Sequence, residues 1–143
     1  MRIIVDTNII FSAMISPKGL QRDTLLKPPK RIKFYSPYYL REEIREHMPR
    51  LQKISGLSMQ EVSESYQLVT QYILFFSEEL IPMAIWMQAY EEIKNTDMDD
   101  IPFIAAAIHL KARLWTGDKK ISKLKKSSFS FNTITTKELK ELQ

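Results

Sequence analysis

Arg2-Ile3-Ile4-Val5-Asp6-Thr7-Asn8, residues 2–8, is the stretch whose reading decides the fold. Arg2 to Val5 is too short and too β-branched for a helix, so it reads as a buried strand. Asp6 ends the apolar run. Asn8 to Ile15 then reads as the first turns of a helix, stopped by Ser16-Pro17-Lys18-Gly19. A strand that feeds a helix so directly is the start of an alternating α/β chain.

The alternation continues downstream. A short helix is expected over Leu20–Leu26, ended by Pro28-Pro29, and a second strand over Ile32–Tyr35. Ser36-Pro37 has the form of a helix start, with serine as N-cap and proline in the first turn. The helix it opens carries Leu40, Ile44, Met48 and Leu51 on one face. Gly56 breaks that pattern. Ser58-Met59-Gln60-Glu61 is a capping box, flanked by Leu57 and Val62 as a hydrophobic staple. The next helix is expected to place Val62, Tyr66, Val69, Ile73 and Phe76 on one face, completing a helical hairpin.

A helix over Met83–Lys94 follows Pro82, and Ile101–Lys111, apolar on nearly all sides, reads as a buried helix. Ala112–Trp115 is the third expected strand, Lys119–Lys125 a short helix, and Asn132–Thr135 the fourth strand. Thr136 opens a C-terminal helix with Leu139 and Leu142 inward, and Trp86 and Trp115 are expected in the core. These elements predict a three-layer α/β/α domain over residues 1–143. Its central parallel sheet has four or five short strands, with a helical hairpin in the middle segment.

Composition narrows the function classes. At 143 residues, 44% hydrophobic and 27% charged, the chain suits one globular domain rather than a disordered segment. No apolar run is long enough to span a membrane, and the N-terminal run is too short for a signal peptide, so the expected compartment is cytoplasmic. The absence of cysteine excludes disulfides and thiolate metal sites. The net charge of +4 is unevenly spread, with basic clusters at Lys27, Lys30, Arg31 and Lys33 and from Lys119 to Lys126. Acids gather over Glu42–Glu46 and Asp97–Asp100. Basic patches beside an acidic pocket fit a polyphosphate substrate; the plainer reading is that they are solvated faces.

Four acids stand where strands end or helices begin: Asp6, Glu43, Asp100 and Asp118. Singly, each has an ordinary explanation as a helix cap or first-turn acid. Asp6 is the least ordinary, because a buried strand end is a costly place for an unpaired carboxylate. At 100° per residue Glu43 falls on the border of the apolar face of its helix, whereas Glu42 and Glu46 point nearly away. Asp6 and Asp118 end strands, the side of a parallel sheet where ligands bind. Brought together, the four make an oxygen-only site suited to Mg²⁺ or Mn²⁺. Asp6, Asp100 and Asp118 are the candidate ligands. Glu43 ligates or positions a water, and Asn8 supports the pocket by hydrogen bonding. The Thr7 and Thr116 hydroxyls orient a water or phosphate, or cap a helix. His47 and His109 carry little weight, since an all-carboxylate site does not require them. A P-loop is excluded by the three glycines and the lack of Gly-Lys-Ser/Thr, and a haloacid-dehalogenase-like site would want an aspartate where Asn8 stands.

Val5-Asp6-Thr7-Asn8, the glutamate at Glu43, Asp100 ahead of Ile104-Ala105-Ala106-Ala107-Ile108, and Thr116-Gly117-Asp118 occur in this order along the chain. Together they resemble the PIN-domain nucleases, in particular the short VapC-type toxins. The spacing to Asp118 favours Asp100 as the third acid, with Asp99 as the fallback and Asp97 close by. The resemblance implies a PIN-like fold and a metal-dependent ribonuclease that leaves a 3′-hydroxyl. It also implies homodimerisation and an antitoxin partner in a toxin–antitoxin pair. The rival expectation is a PIN-like RNA-binding or scaffold module without catalysis, or a housekeeping nuclease of RNA processing.

Overall fold

A computed structural model describes residues 1–95, 98–117 and 131–142. The expected helix over Lys119–Lys125 lies outside them, as do Asp97 and Asp118. The elements are β1 (Arg2–Val5), α1 (Thr7–Ile15), α2 (Leu20–Leu26), β2 (Lys33–Pro37), α3 (Tyr39–Ser55), α4 (Met59–Thr70) and β3 (Ile73–Phe76). They are followed by α5 (Met83–Ile93), α6 (Ile101–Leu110), β4 (Arg113–Trp115), β5 (Asn132–Ile134) and α7 (Thr136–Glu141). The strands form one five-stranded sheet in the order β3-β2-β1-β4-β5, with every pairing parallel.

β1 is central. Ile4 pairs with Tyr35 on one side and Leu114 on the other. Ile3, Ile4 and Val5 are fully buried, as a strand covered on both faces requires. The chain winds outward from β1 to β2 and β3, then crosses back to lay β4 and β5 on the other side of β1. Strand order therefore reverses between β1 and β4, which makes their carboxyl ends the place for a ligand. α1 to α4 and α7 pack on one another, and α5 pairs with α6, which lies on β1, β2 and β4. Phe34 stacks on Trp115 at 5.5 Å, and the Trp115 indole donates to Thr136 Oγ1 at 3.0 Å.

The helical hairpin forms as expected. Gly56 ends α3 with φ of 71°, a left-handed conformation that favours glycine. Ser58 accepts from the Glu61 amide at 3.1 Å, while the Glu61 carboxylate accepts from the Ser58 amide at 3.1 Å.

Three expectations are corrected. Ile73 to Phe76 does not continue α4 but forms the edge strand β3, paired with β2 from Phe34–Ile73 to Pro37–Phe76. Val69, Ile73 and Phe76 fit a helical period, yet four consecutive apolar residues gain more from a strand partner than from one helix face. Ser36 does not cap α3. It lies inside β2, buried, and its hydroxyl donates to the Val5 carbonyl at 3.0 Å. The start of α3 is held from a distance instead, by Glu78 Oε1, which accepts from the Tyr39 amide at 2.5 Å. Leu142 is 48% exposed rather than inward, whereas Leu139 is fully buried. Trp86 is half-buried against the core and Trp115 lies within it.

Candidate functional site

Asp6 follows β1 directly, and its backbone extends the ladder by donating to the Trp115 carbonyl at 3.4 Å. Its side chain is only 3% exposed and accepts the Ile9 amide on Oδ1 at 3.0 Å, so Asp6 is the N-cap of α1. Asp6 thus caps a helix and also lines a cavity. That cavity, about 340 Å³, opens beyond the carboxyl ends of the strands. Its walls bring together Asp6 and Asn8 from the start of α1, Glu43 from α3, and Asp99 and Asp100 from the turn into α6.

Each acid is positioned by a different device. Glu43 half-lines the cavity and accepts from the Thr7 hydroxyl at 2.5 Å, which ties α3 to the residue after Asp6. Burial pushes the Glu43 carboxyl above its ordinary range; the charges of Asp99 and Glu46 add to this, and the Thr7 hydrogen bond and His47 oppose it. Asp99 and Asp100 lie in a 3-10 turn, Met98–Asp100, that runs straight into α6. Asp100 occupies the cap position of α6 yet makes no capping hydrogen bond with its side chain, so the capping explanation fails for it. Asn8 is exposed at the cavity wall. Thr116 is buried at the end of β4 and is not among the described residues of the wall.

The acids share a cavity without forming a tight cluster. Among the described residues, no three histidine, cysteine, aspartate or glutamate side chains converge closely enough to hold an ion. Asp118 stands outside the described residues, one position beyond Gly117 at the end of β4. The donor chemistry nevertheless fits a hard cation, because the walls offer carboxylate oxygens and no sulfur.

Two residues given little or no weight in the sequence also line the cavity: His47 and Arg50. With Glu43 they follow spacings of four and three residues, which is one stripe of α3. Tyr39, one turn before Glu43, packs edge-on against Phe103 at 5.9 Å. Burial, then the charges of Glu43 and Asp99, push the Tyr39 phenol up to about 12, so it stays protonated and cannot serve as a base. The cluster Lys27, Lys30 and Lys33, by contrast, does not flank the acids. Lys33 pairs with Arg2 at the amino end of the sheet, and these lysines line a separate cavity of about 660 Å³ with Tyr72 and Leu74. The lysines after Asp118 lie outside the described residues.

Among the described residues no helix is long and apolar enough to cross a membrane. No curated protein matches the sequence. The fold is similar to a chain in the crystal structure of VapBC2 from Rickettsia felis bound to a DNA fragment from its promoter. The TM-score is 0.74, the identity 12%, and the likeness covers 94% of this chain and 98% of that one. The sequence matches the PIN domain over residues 4–140, and PIN domains are generally nucleases. That match runs from β1 into α7, and on it the chain belongs to the PIN domain family.

Proposed function

We propose that this protein is a Mg²⁺- or Mn²⁺-dependent endoribonuclease that hydrolyses RNA phosphodiester bonds. The observation that carries the reading is the gathering of Asp6, Glu43, Asp99 and Asp100 on one cavity at the point where the strand order reverses. Asp6 and Asp100, joined by Asp118, would hold the ion, with Asp99 as the alternative to Asp100. When bound, the cation would neutralise the phosphate and lower the pKa of a coordinated water. Glu43 orients the attacking water through the carboxylate oxygen not engaged by Thr7. Burial raises its carboxyl above the ordinary range, which makes it a stronger proton acceptor than an exposed glutamate. Asn8 supports the pocket from its wall.

The sequence pattern and the likeness to VapBC2 support a further reading, that the chain is the toxin of a toxin–antitoxin pair; on the family resemblance alone, that toxin is cytoplasmic and homodimeric. A short upstream reading frame with a DNA-binding pattern is the expected genomic companion.

The test is cleavage of labelled single-stranded and structured RNA with Mg²⁺, with Mn²⁺, and with EDTA. Cutting that needs the metal and disappears in Asp6→Asn is expected. Activity that survives Asp6→Asn at equal purity would come from a contaminant and end the proposal. RNA that is bound but never cut would favour a binding module without catalysis.

A further inference from the structure

We propose that Arg50 is the substrate-backbone contact of this site, gripping an RNA phosphate beside the scissile one; the inference rests on the ribonuclease reading. Arg50 stands on the same stripe of α3 as Glu43 and His47 and lines the same cavity. Side chains lean toward the N-terminus of their helix, so the guanidinium is aimed back along α3 toward Glu43 rather than away from it.

Its surroundings leave it available to an anion. Among the described residues the ion pairs engage Arg45, Lys94, Arg113 and Lys140, not Arg50. The guanidinium carbon lies 5.7 Å from the centroid of the Phe11 ring, and Phe11 is another wall of the cavity. An aromatic face steadies the fork by a cation–π contact and leaves its N–H edge for an acceptor. A planar fork with no ion-pair partner among the described residues, at the rim of an acidic cavity, matches a phosphodiester in charge and geometry.

Position selects which phosphate. Seven residues separate Glu43 from Arg50, a rise of roughly 10 Å along the helix. Arg50 is exposed at the wall and leans on Phe11 rather than on the acids, so it is assigned a flanking phosphate and the strand's path into the cavity. The charge distribution agrees, because the Lys27–Lys33 cluster lies at the amino end of the sheet.

The test uses the full chain and a short fluorescein-labelled single-stranded RNA. Binding is followed by anisotropy in EDTA over a range of NaCl, and initial rates are measured in Mg²⁺. Arg50→Gln should weaken binding roughly ten-fold and lower the slope of log affinity against log salt by about 0.7, the loss of one single-strand phosphate contact. KM should rise while kcat changes little, since the contact is remote from the reacting bond. Arg50→Lys should keep the salt slope but lose part of the affinity, and Lys30→Gln should change neither. Melting temperatures check that each variant is folded, and if Arg50→Gln is not, Arg50→Lys carries the test. The inference is overturned by unchanged affinity in the folded Arg50 variants, or by an equal loss in Lys30→Gln. Wild-type protein that neither binds nor cuts the RNA would overturn the ribonuclease reading and this inference with it.

Discussion

Asp6 does two jobs, and a pair of substitutions separates them. As N-cap of α1, its Oδ1 accepts the Ile9 amide at 3.0 Å in a buried setting. Asparagine offers a carbonyl oxygen at the same place and ranks beside aspartate as a cap, whereas alanine offers nothing. Losing such a cap costs about 1 kcal/mol, within a range of about 0.5–2 kcal/mol. An unfolding entropy of about 2.1 cal/mol/K per residue over 143 residues amounts to roughly 0.3 kcal/mol/K. Asp6→Ala should therefore melt roughly 3 °C below wild type in EDTA. Asp6→Asn should melt at or above wild type, because it keeps the acceptor and removes one negative charge from a cavity shared with Glu43, Asp99 and Asp100. Both variants should lose metal-dependent cleavage. The assay is differential scanning calorimetry in EDTA alongside RNA cleavage in Mg²⁺. An Asp6→Asn protein as destabilised as Asp6→Ala would refute the assigned cap geometry. An Asp6→Asn protein that still cuts would refute the role of the carboxylate.

Glu43→Gln should show its effect on stability through pH. The folded protein holds the Glu43 proton more tightly than the unfolded chain does. Stability is therefore lost as pH rises from the ordinary carboxylate range through the raised native value. In EDTA the glutamine variant should match wild type at acid pH and become the more stable protein as neutrality is approached; urea midpoints across pH report this, and a constant difference would contradict it. Gly56→Ala meets no neighbouring atom but must adopt φ of 71°, so it should cost about 1–2 kcal/mol of stability in urea titrations without changing cleavage. An unchanged midpoint would show that the hairpin turn relaxes.

The sheet was legible because its strands announce themselves locally. Ile3-Ile4-Val5 and Leu114-Trp115 are short, branched or aromatic, and bounded by turn residues, and both are central strands. β3 was hidden because its residues continue a helical period begun at Val62, and only the pairing with β2, remote in sequence, tips them into a strand. The start of α3 was misplaced for a similar reason. Ser36-Pro37 is a sound local cap, but the tertiary structure gives Ser36 a carbonyl partner on β1 and supplies Glu78 as the cap. Within the cavity, the helical geometry that places Glu43 on the border of the apolar face holds for two further residues. Glu43, His47 and Arg50 each stand one residue before Ile44, Met48 and Leu51 of the apolar stripe, so all three occupy the same border. What spacing could not show is that the Lys27–Lys33 cluster lies at the other end of the sheet, since that depends on strand direction.

The measurement that bears most directly on the four-acid cavity is calorimetric titration of Mn²⁺ into the wild-type protein and into Asp100→Asn, Glu43→Gln and Asp118→Asn. Saturable binding in the wild type, weakened at least ten-fold by each substitution, is expected if these carboxylates serve one ion site. Binding that is absent in the wild type, or equal in all four proteins, would show that these carboxylates do not serve one metal site.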